Sequence, residues 1–367
     1  MSTDFLYAFS FGRLYVTGKS GILINEKGTK RKQWMIKANK PLERCKLDKS
    51  PAFTDPKYGC APEARTIKAY IERGVVNIDK PAGPTSHEVV AWIKNILKIN
   101  KAAHTGTLDP RVTGVLPVML GVATKLADTF IADKGYVCVM KLHGAVEEDK
   151  LRKISKDFVG RIYQRPPLKS AVRRQVRIRK VHYIEIMEIA GKDVLMKVGC
   201  EAGTYMRMLC HHLGLALGVG AHLVQLRRTK SFPFDEANLT KLQDLKDAYI
   251  FSEEGDERLL RKLIMPMEYA LGHLPCIIVK DSAVDAICHG ANLTAPGISR
   301  IEEGINIGNR VVIYTLKGEA VSIGEAKMIS EDMFTSEKGV CVKAEKVFMK
   351  RGTYVKSWRS KAEVAEW

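Results

Sequence analysis

The sequence predicts an α+β protein built as two domains. Strand-like and helix-like segments follow one another without the regular βαβ alternation that marks a parallel α/β sheet. At 367 residues the chain exceeds what one hydrophobic core comfortably organises, which points to a larger domain of roughly 200 residues and a smaller one. After the mixed-charge stretch SEEGDERLLRK the pattern shifts to short apolar runs separated by turns, so the second domain is expected to be β-rich.

The elements can be placed in order. Residues 1–34 are basic and contain several glycines, and ILIN and QWMI flank EKGTKRK in the manner of a hairpin. From Asp48 to Pro62, the density of proline, aspartate and glycine predicts an ordered or docked loop rather than a regular element. GVVNIDK is a short apolar run bounded by Gly and Pro, hence a strand. Thr85 and Glu88 form a capping-box pattern ahead of Val89, Val90, Ile93, Ile96 and Leu97 at helical spacing, which starts a helix near Ser86. YVCVMKLHG and KVHYIEIMEI alternate like half-buried strands, and DVLMKVGCEAG is another. In TYMRMLCHHLGLALG, Leu209, Leu213 and Leu217 fall on one stripe of a helix. LPCIIVK, a short helix DSAVDAICHG, the turn APG and the hairpin RVVIYTLKGEAVSIGEAKM then form a compact unit from about His273 to Met349.

Charge narrows the class of partner. With 59 Lys and Arg against 41 Asp and Glu, the formal net charge is +18, which suits a polyanion binder acting through counterion release; charge alone does not name the polyanion. No run of about 18 apolar residues exists, and MSTDFLYAFSFGRLYV lacks both a basic n-region and a small-residue cleavage site. The chain therefore reads as soluble and intracellular, with no membrane partner. The eight cysteines include no CxxC pair and mostly lie within apolar runs, so they read as reduced, buried small hydrophobes.

Several tempting motifs fail on spacing. SFGRLYVTGKS looks like a phosphate loop, but the gap between Gly12 and Gly18 is one residue too long and Arg13 stands at the first-glycine place. HEVVA at His87 begins like a zinc-protease helix, yet Ala91 occupies the position of the second His. His211 and His212 have no carboxylate or Cys at ligand spacing, and GLALGVGAH more simply marks a helix end than a dinucleotide site. No metal and no cofactor is expected.

HTGTLDPRVTG, from His104 to Gly114, is the most informative stretch. Asp109 lies between two Gly-containing turns and directly before Pro110, which biases it toward an extended, fixed backbone. The residues alone leave two readings open: a carboxylate held so that it can be aimed, or an Asp-Pro that only caps a turn. HTGTLDPRVTGVLPV also resembles the catalytic motif of the TruB and dyskerin family of pseudouridine synthases. GVVNIDKPAGPTSHEVVAWIK, DKGYVCVMKLHG, GRIYQRPPLKSAVRRQVRIRK and VGCEAGTYMRMLCHHLG are similar to four further motifs of that family, in its order. The resemblance runs from about Met35 to about Trp358, and QRPPLKSAVRR, CEAGTY, LGLALGVGAHL, LRRTKS and KDSAVDAICHGA look most like the archaeal H/ACA enzyme and its eukaryotic relative. Residues 1–34 have no counterpart in it, as expected of a lineage-specific extension or of a true start at Met35, and the absence of a Lys-rich C-terminal tail favours an archaeal or reduced eukaryotic source.

The resemblance implies a fold, a site and partners. It implies a catalytic domain with a mixed, largely antiparallel sheet flanked by helices over residues 71–255, a C-terminal β-barrel PUA domain over 273–349, and an N-terminal extension and docking segment over 1–70. Asp109 would be the catalytic carboxylate, and Arg207 the cation that pairs with it. Tyr136 would stack on the target base, with Tyr205, Lys80 and His104 joining the substrate-binding set. Arg173 and Arg174 would belong to a basic loop that closes on RNA phosphates, within a run of eight Lys or Arg and no acid between Gly160 and Lys180. By themselves, Arg207 also fits a helix-start cation, Tyr136 an ordinary strand aromatic, His104 a turn hydrogen-bonder, and the basic run a solvated face. The implied substrates are tRNA and rRNA and the implied partners an H/ACA guide RNA with Nop10, Gar1 and an L7Ae-type protein, in the cytoplasm if archaeal and the nucleolus if eukaryotic. A stand-alone tRNA enzyme and a non-catalytic RNA-binding scaffold are the competing readings.

These residue types suit that chemistry. A carboxylate can attack the sugar or base as a nucleophile, or remove a sugar proton as a base, provided it is ionised in a pocket that also holds an apolar ring. Burial would raise its pKa, and an arginine fork offsets this while fixing its direction. Extruding a stacked uridine costs a few kcal/mol, of which stacking on an aromatic ring returns about 1–3 kcal/mol.

Overall fold

A computed structural model describes residues 5–10, 13–18, 41–130, 133–166, 173 and 175–357. The ILIN and QWMI segments and Arg174 lie outside the described residues. The chain divides into two compact units. One is built from residues 76–118 and 126–263 with the N-terminal 31 residues, the other from 32–75, 119–125 and 264–367.

The first unit is organised by a mixed sheet whose central order is Gly74–Lys80, Thr113–Leu120, Ala221–Ser231, Lys134–Leu142, Asp193–Cys200, Arg177–Ala190 and Gly160–Gln164. Ala221–Ser231 pairs parallel with Thr113–Leu120, while its pairing with Lys134–Leu142 and those from there to the Gly160–Gln164 edge are antiparallel. YVCVMKLHG is more deeply placed than its alternation implied. Cys138 and Met140 pack on one face against Leu209, Cys210 and Leu213 of the helix Met206–Leu217, and Val137 and Val139 meet Leu195 on the other. A strand at the sheet centre has two covered faces, so its period-two signal is lost. Gly214 lets that helix approach the chain, since a Cβ there would lie 2.0 Å from the Ala221 nitrogen, and Gly218 ends it in the left-handed region at φ 81°. Ser86–Ile96 is a helix with the capping box that Thr85 and Glu88 encode.

The two ends of the basic run are strands: Gly160–Gln164, at the sheet edge, pairs antiparallel with Arg177–Ala190 in register from Gly160↔Val181 to Gln164↔Arg177, and residues 167–172 and 174 between them lie outside the described residues. Long Lys and Arg side chains on such an edge also discourage pairing with another sheet. Near the N-terminus, Phe5–Ser10 and Arg13–Gly18 pair as two antiparallel strands, so Arg13–Gly18 of the failed phosphate-loop motif is strand.

The second unit is a curled seven-stranded sheet, a half-barrel whose order opens with Leu293–Thr294 and closes with Leu47–Asp48. It curls around a core that includes Ile277, Val284, Ile287, Ile313, Val321 and Val342. The segment after Asp48 is docked on this unit: Lys49 Nζ donates to the carbonyls of Met333 and Phe334 at 2.7 and 3.0 Å, and Thr54 Oγ1 donates to Asp281 at 3.0 Å. Seven of the eight cysteines are buried and Cys60 is half-buried. Among the described residues no helix is long and apolar enough to cross a membrane.

Candidate active site

The Asp109 loop connects the short strand Ala102–His104 to Thr113–Leu120, and its glycines are there for backbone reasons. Gly106 has φ +75° and Gly114 φ +99°, and a Cβ on Gly114 would meet the Arg228 carbonyl at 2.2 Å. Buried side chains then hold the loop from behind. Ser86 Oγ accepts from Leu108 N–H at 2.9 Å and donates to the Leu108 carbonyl at 3.0 Å. Lys80 Nζ donates to the carbonyls of Pro81, Pro110 and Val112 at 2.9, 3.0 and 3.0 Å. With its backbone neighbours on both sides fixed, Asp109 presents its carboxylate outward.

Arg207 meets it there. It is the second residue of Met206–Leu217, and its Nη2 lies 2.9 Å from Asp109 Oδ2, with the two side chains 55% and 54% exposed. The start of that helix is pinned by Gln164, whose amide accepts from Tyr205 N–H at 2.9 Å and donates to the Tyr205 carbonyl at 3.2 Å. Tyr205 itself is half-buried at the N-cap. Tyr136 lies in the central strand with its ring largely buried and its phenol beside Arg228, the residue opposite it in the neighbouring strand. Two more buried cations, Lys134 and Arg228, stand behind the loop. Burial, and secondarily Arg228, pushes the Lys134 ammonium down to about 7. Burial also lowers Lys80, against the opposing pull of Asp109. His104 is half-buried, with its ring centroid 5.0 Å from that of His87 in an edge-to-face pair, and burial followed by His87 lowers its pKa. Arg173 is exposed.

Two expectations change. Lys80 is wholly buried and saturated by three carbonyls, so it orders the Asp109 loop and is not in reach of a substrate. The Asp109 carboxylate is half open to solvent rather than enclosed by protein, because the loop that carries it stands at the end of its strand. Ser86, Gln164, Lys134 and Arg228 were missed. Ser86 carried only a helix-start signal, and a buried arginine in LRRTKS has the same letters as an exposed one.

This geometry defines a class first: a pseudouridine synthase, with an arginine-held carboxylate on a mixed sheet and a curled β-rich module after it. Family models match in chain order: the DKCLD (NUC011) domain over residues 43–90, the N-terminal domain of the TruB family pseudouridylate synthases over 94–206, the tRNA pseudouridylate synthase B C-terminal domain over 207–272, and the PUA domain over 275–348. A Methanopyrus kandleri protein described as a probable tRNA pseudouridine synthase B is 57% identical over 318 residues, covering 86% of this chain and 94% of its own. A Pyrococcus abyssi protein of the same description is 57% identical over 310 residues, covering 84% and 93%. The structure of an H/ACA ribonucleoprotein bound to a substrate RNA containing 2′-deoxyuridine superposes with a TM-score of 0.78 at 52% identity, covering 85% of this chain and 96% of that one. A Cbf5-Nop10-Gar1 complex gives 0.78 at 55%, covering 84% and 95%. The chain belongs to the TruB family of pseudouridylate synthases and is of the Cbf5 type.

Proposed function

We propose that this chain isomerises uridine to pseudouridine in RNA, guided in rRNA as the catalytic subunit of an H/ACA ribonucleoprotein and acting also on the T-loop of tRNA. The observation that carries this is the Asp109–Arg207 pair, 2.9 Å apart on a loop held from behind. In the reaction the N1–C1′ bond breaks, the uracil rotates, C5 bonds to C1′, the C5 proton leaves and N1 gains one. Nothing is oxidised or reduced. Asp109 is the reacting carboxylate and Arg207, 2.9 Å away, holds it in the required direction. The flipped base enters over Tyr136 and Tyr205 and supplies the desolvation that the open carboxylate lacks, while His104 faces the vacated stack and Arg173 and Arg174 meet phosphates.

We take residues 71–255 as the catalytic domain, 273–349 as the PUA module and 1–70 as extension and docking segment. Structural neighbours assembled with Nop10, Gar1 and RNA support the same partners here, joined by an L7Ae-type protein and a guide RNA. The archaeal relatives support a cytoplasmic setting. Their description as tRNA enzymes favours a second reading, activity on tRNA without a guide. Purified protein assayed by mass spectrometry on bare tRNA and on guide-paired RNA, with and without the small proteins, tests both. Pseudouridine only in the complete particle supports the guided role, pseudouridine in bare tRNA the second, and none in either overturns the proposal.

A further inference from the structure

We propose that Arg228 is the positioning residue that keeps the Tyr136 phenol and the Asp109 loop in register, an inference that rests on the reading of this site as a pseudouridine synthase centre. Sheet geometry puts it in place: Arg228 lies opposite Gly114 in the parallel pairing and opposite Tyr136 in the antiparallel one. It is 1% exposed, and among the described residues no carboxylate forms a salt bridge with it. A buried cation in that state persists only if its donors are used. Nε donates to the Val115 carbonyl at 2.7 Å, and Nη1 and Nη2 to the Gly106 carbonyl at 3.1 and 3.0 Å. The Tyr136 phenol lies beside the same guanidinium, directly across the antiparallel pairing. One rigid fork thus ties both ends of the segment 106–115, which carries Asp109, to the strand that carries Tyr136.

Its neighbour shows what a purely structural arginine looks like on the same strand. Arg227 is also buried, but it is neutralised by Asp79 at 2.9 Å and Glu236 at 2.7 Å. Arg228 instead places a positive charge with no carboxylate partner among the described residues beneath the reacting loop. A lysine cannot reproduce this, because a single ammonium on a flexible stem does not span two carbonyls and a phenol at fixed angles. A carboxylate displaced by about 1 Å loses on the order of 100-fold in rate.

The test uses full-length protein with its RNA and partner proteins, and compares Arg228→Lys, Tyr136→Phe and the double variant. RNA affinity and the single-turnover rate of pseudouridine formation are measured separately. Arg228→Lys is expected to bind RNA within about threefold of wild type and to react about 100-fold slower. Tyr136→Phe, which keeps the ring and removes only the hydroxyl, is expected to slow the wild type but not the Arg228→Lys protein. That non-additivity is something a general loss of stability does not produce. Turnover of Arg228→Lys near the wild-type rate, or losses that multiply in the double variant, overturns the proposal. Should Arg228→Lys fail to fold, Tyr136→Phe decides alone: slower turnover at unchanged affinity supports it, and an unchanged rate overturns it. Wild type inactive on every RNA instead removes the proposed function itself.

Discussion

Two half-exposed charges, Asp109 and Arg207, meet at 2.9 Å, and their exposure decides what the pair is for. Solvent-screened pairs contribute about 0–1 kcal/mol to stability, so this contact braces the fold little, in keeping with the aiming role proposed for it. Arg207→Lys is therefore expected to melt within about 1 kcal/mol of wild type and to retain RNA binding while losing most of its turnover. An unchanged single-turnover rate contradicts the pairing role. Lys134 is the opposite case, a buried ammonium held at about 7 against an ordinary 10.5. Below about 7 both folded and unfolded chains carry the proton, and the full cost of burying the charge is present. Between the two values the unfolded chain binds more protons, so stability rises with pH. Lys134→Met removes that slope, and denaturant titrations should show wild type gaining about 2 kcal/mol relative to the variant from pH 7 to pH 9. Parallel curves for the two proteins contradict the assignment.

The Asp109 loop is the element on which the site depends, and the side chains that hold it reach it from elsewhere in the chain. Ser86→Ala strips hydrogen-bond partners from both the N–H and the carbonyl of buried Leu108. It should destabilise the protein by about 1–3 kcal/mol and slow turnover without weakening RNA binding; a variant as stable and as fast as wild type shows that the loop needs no such support. Much of the element plan was legible because it is local: the capping box at Thr85 and Glu88, the leucine stripe of Met206–Leu217 and its glycine stop are short-range signals. Asp109 and Arg207 were legible as a pair only through resemblance to a family, since 98 positions separate them in the sequence (207 minus 109). What stayed hidden is tertiary. Nothing in the letters of Lys80 tells a substrate ligand from an ammonium saturated by three carbonyls, and the density of charge from Gly160 to Lys180 masked two paired strands. The strand pair Phe5–Ser10 with Arg13–Gly18 was overlooked beside the more obvious EKGTKRK turn.

Each of the two units buries apolar residues of its own, and the second also holds a buried ion pair. Arg65 donates to both oxygens of Glu268 at 3.0 and 2.7 Å, and Glu268 also accepts from Ala320 N–H at 3.0 Å. Removing one partner strands a charge, so Arg65→Ala should cost about 3–5 kcal/mol in denaturant unfolding, and a loss below about 1 kcal/mol contradicts that role. The formal charge of +18 suits a large anionic surface bound through its phosphates. The most direct test of this account is the single-turnover formation of pseudouridine by wild type and Asp109→Ala, each at saturating RNA with the partner proteins present. The account predicts that the alanine variant binds RNA as tightly as wild type and makes no detectable pseudouridine. Turnover by that variant at the wild-type rate contradicts it.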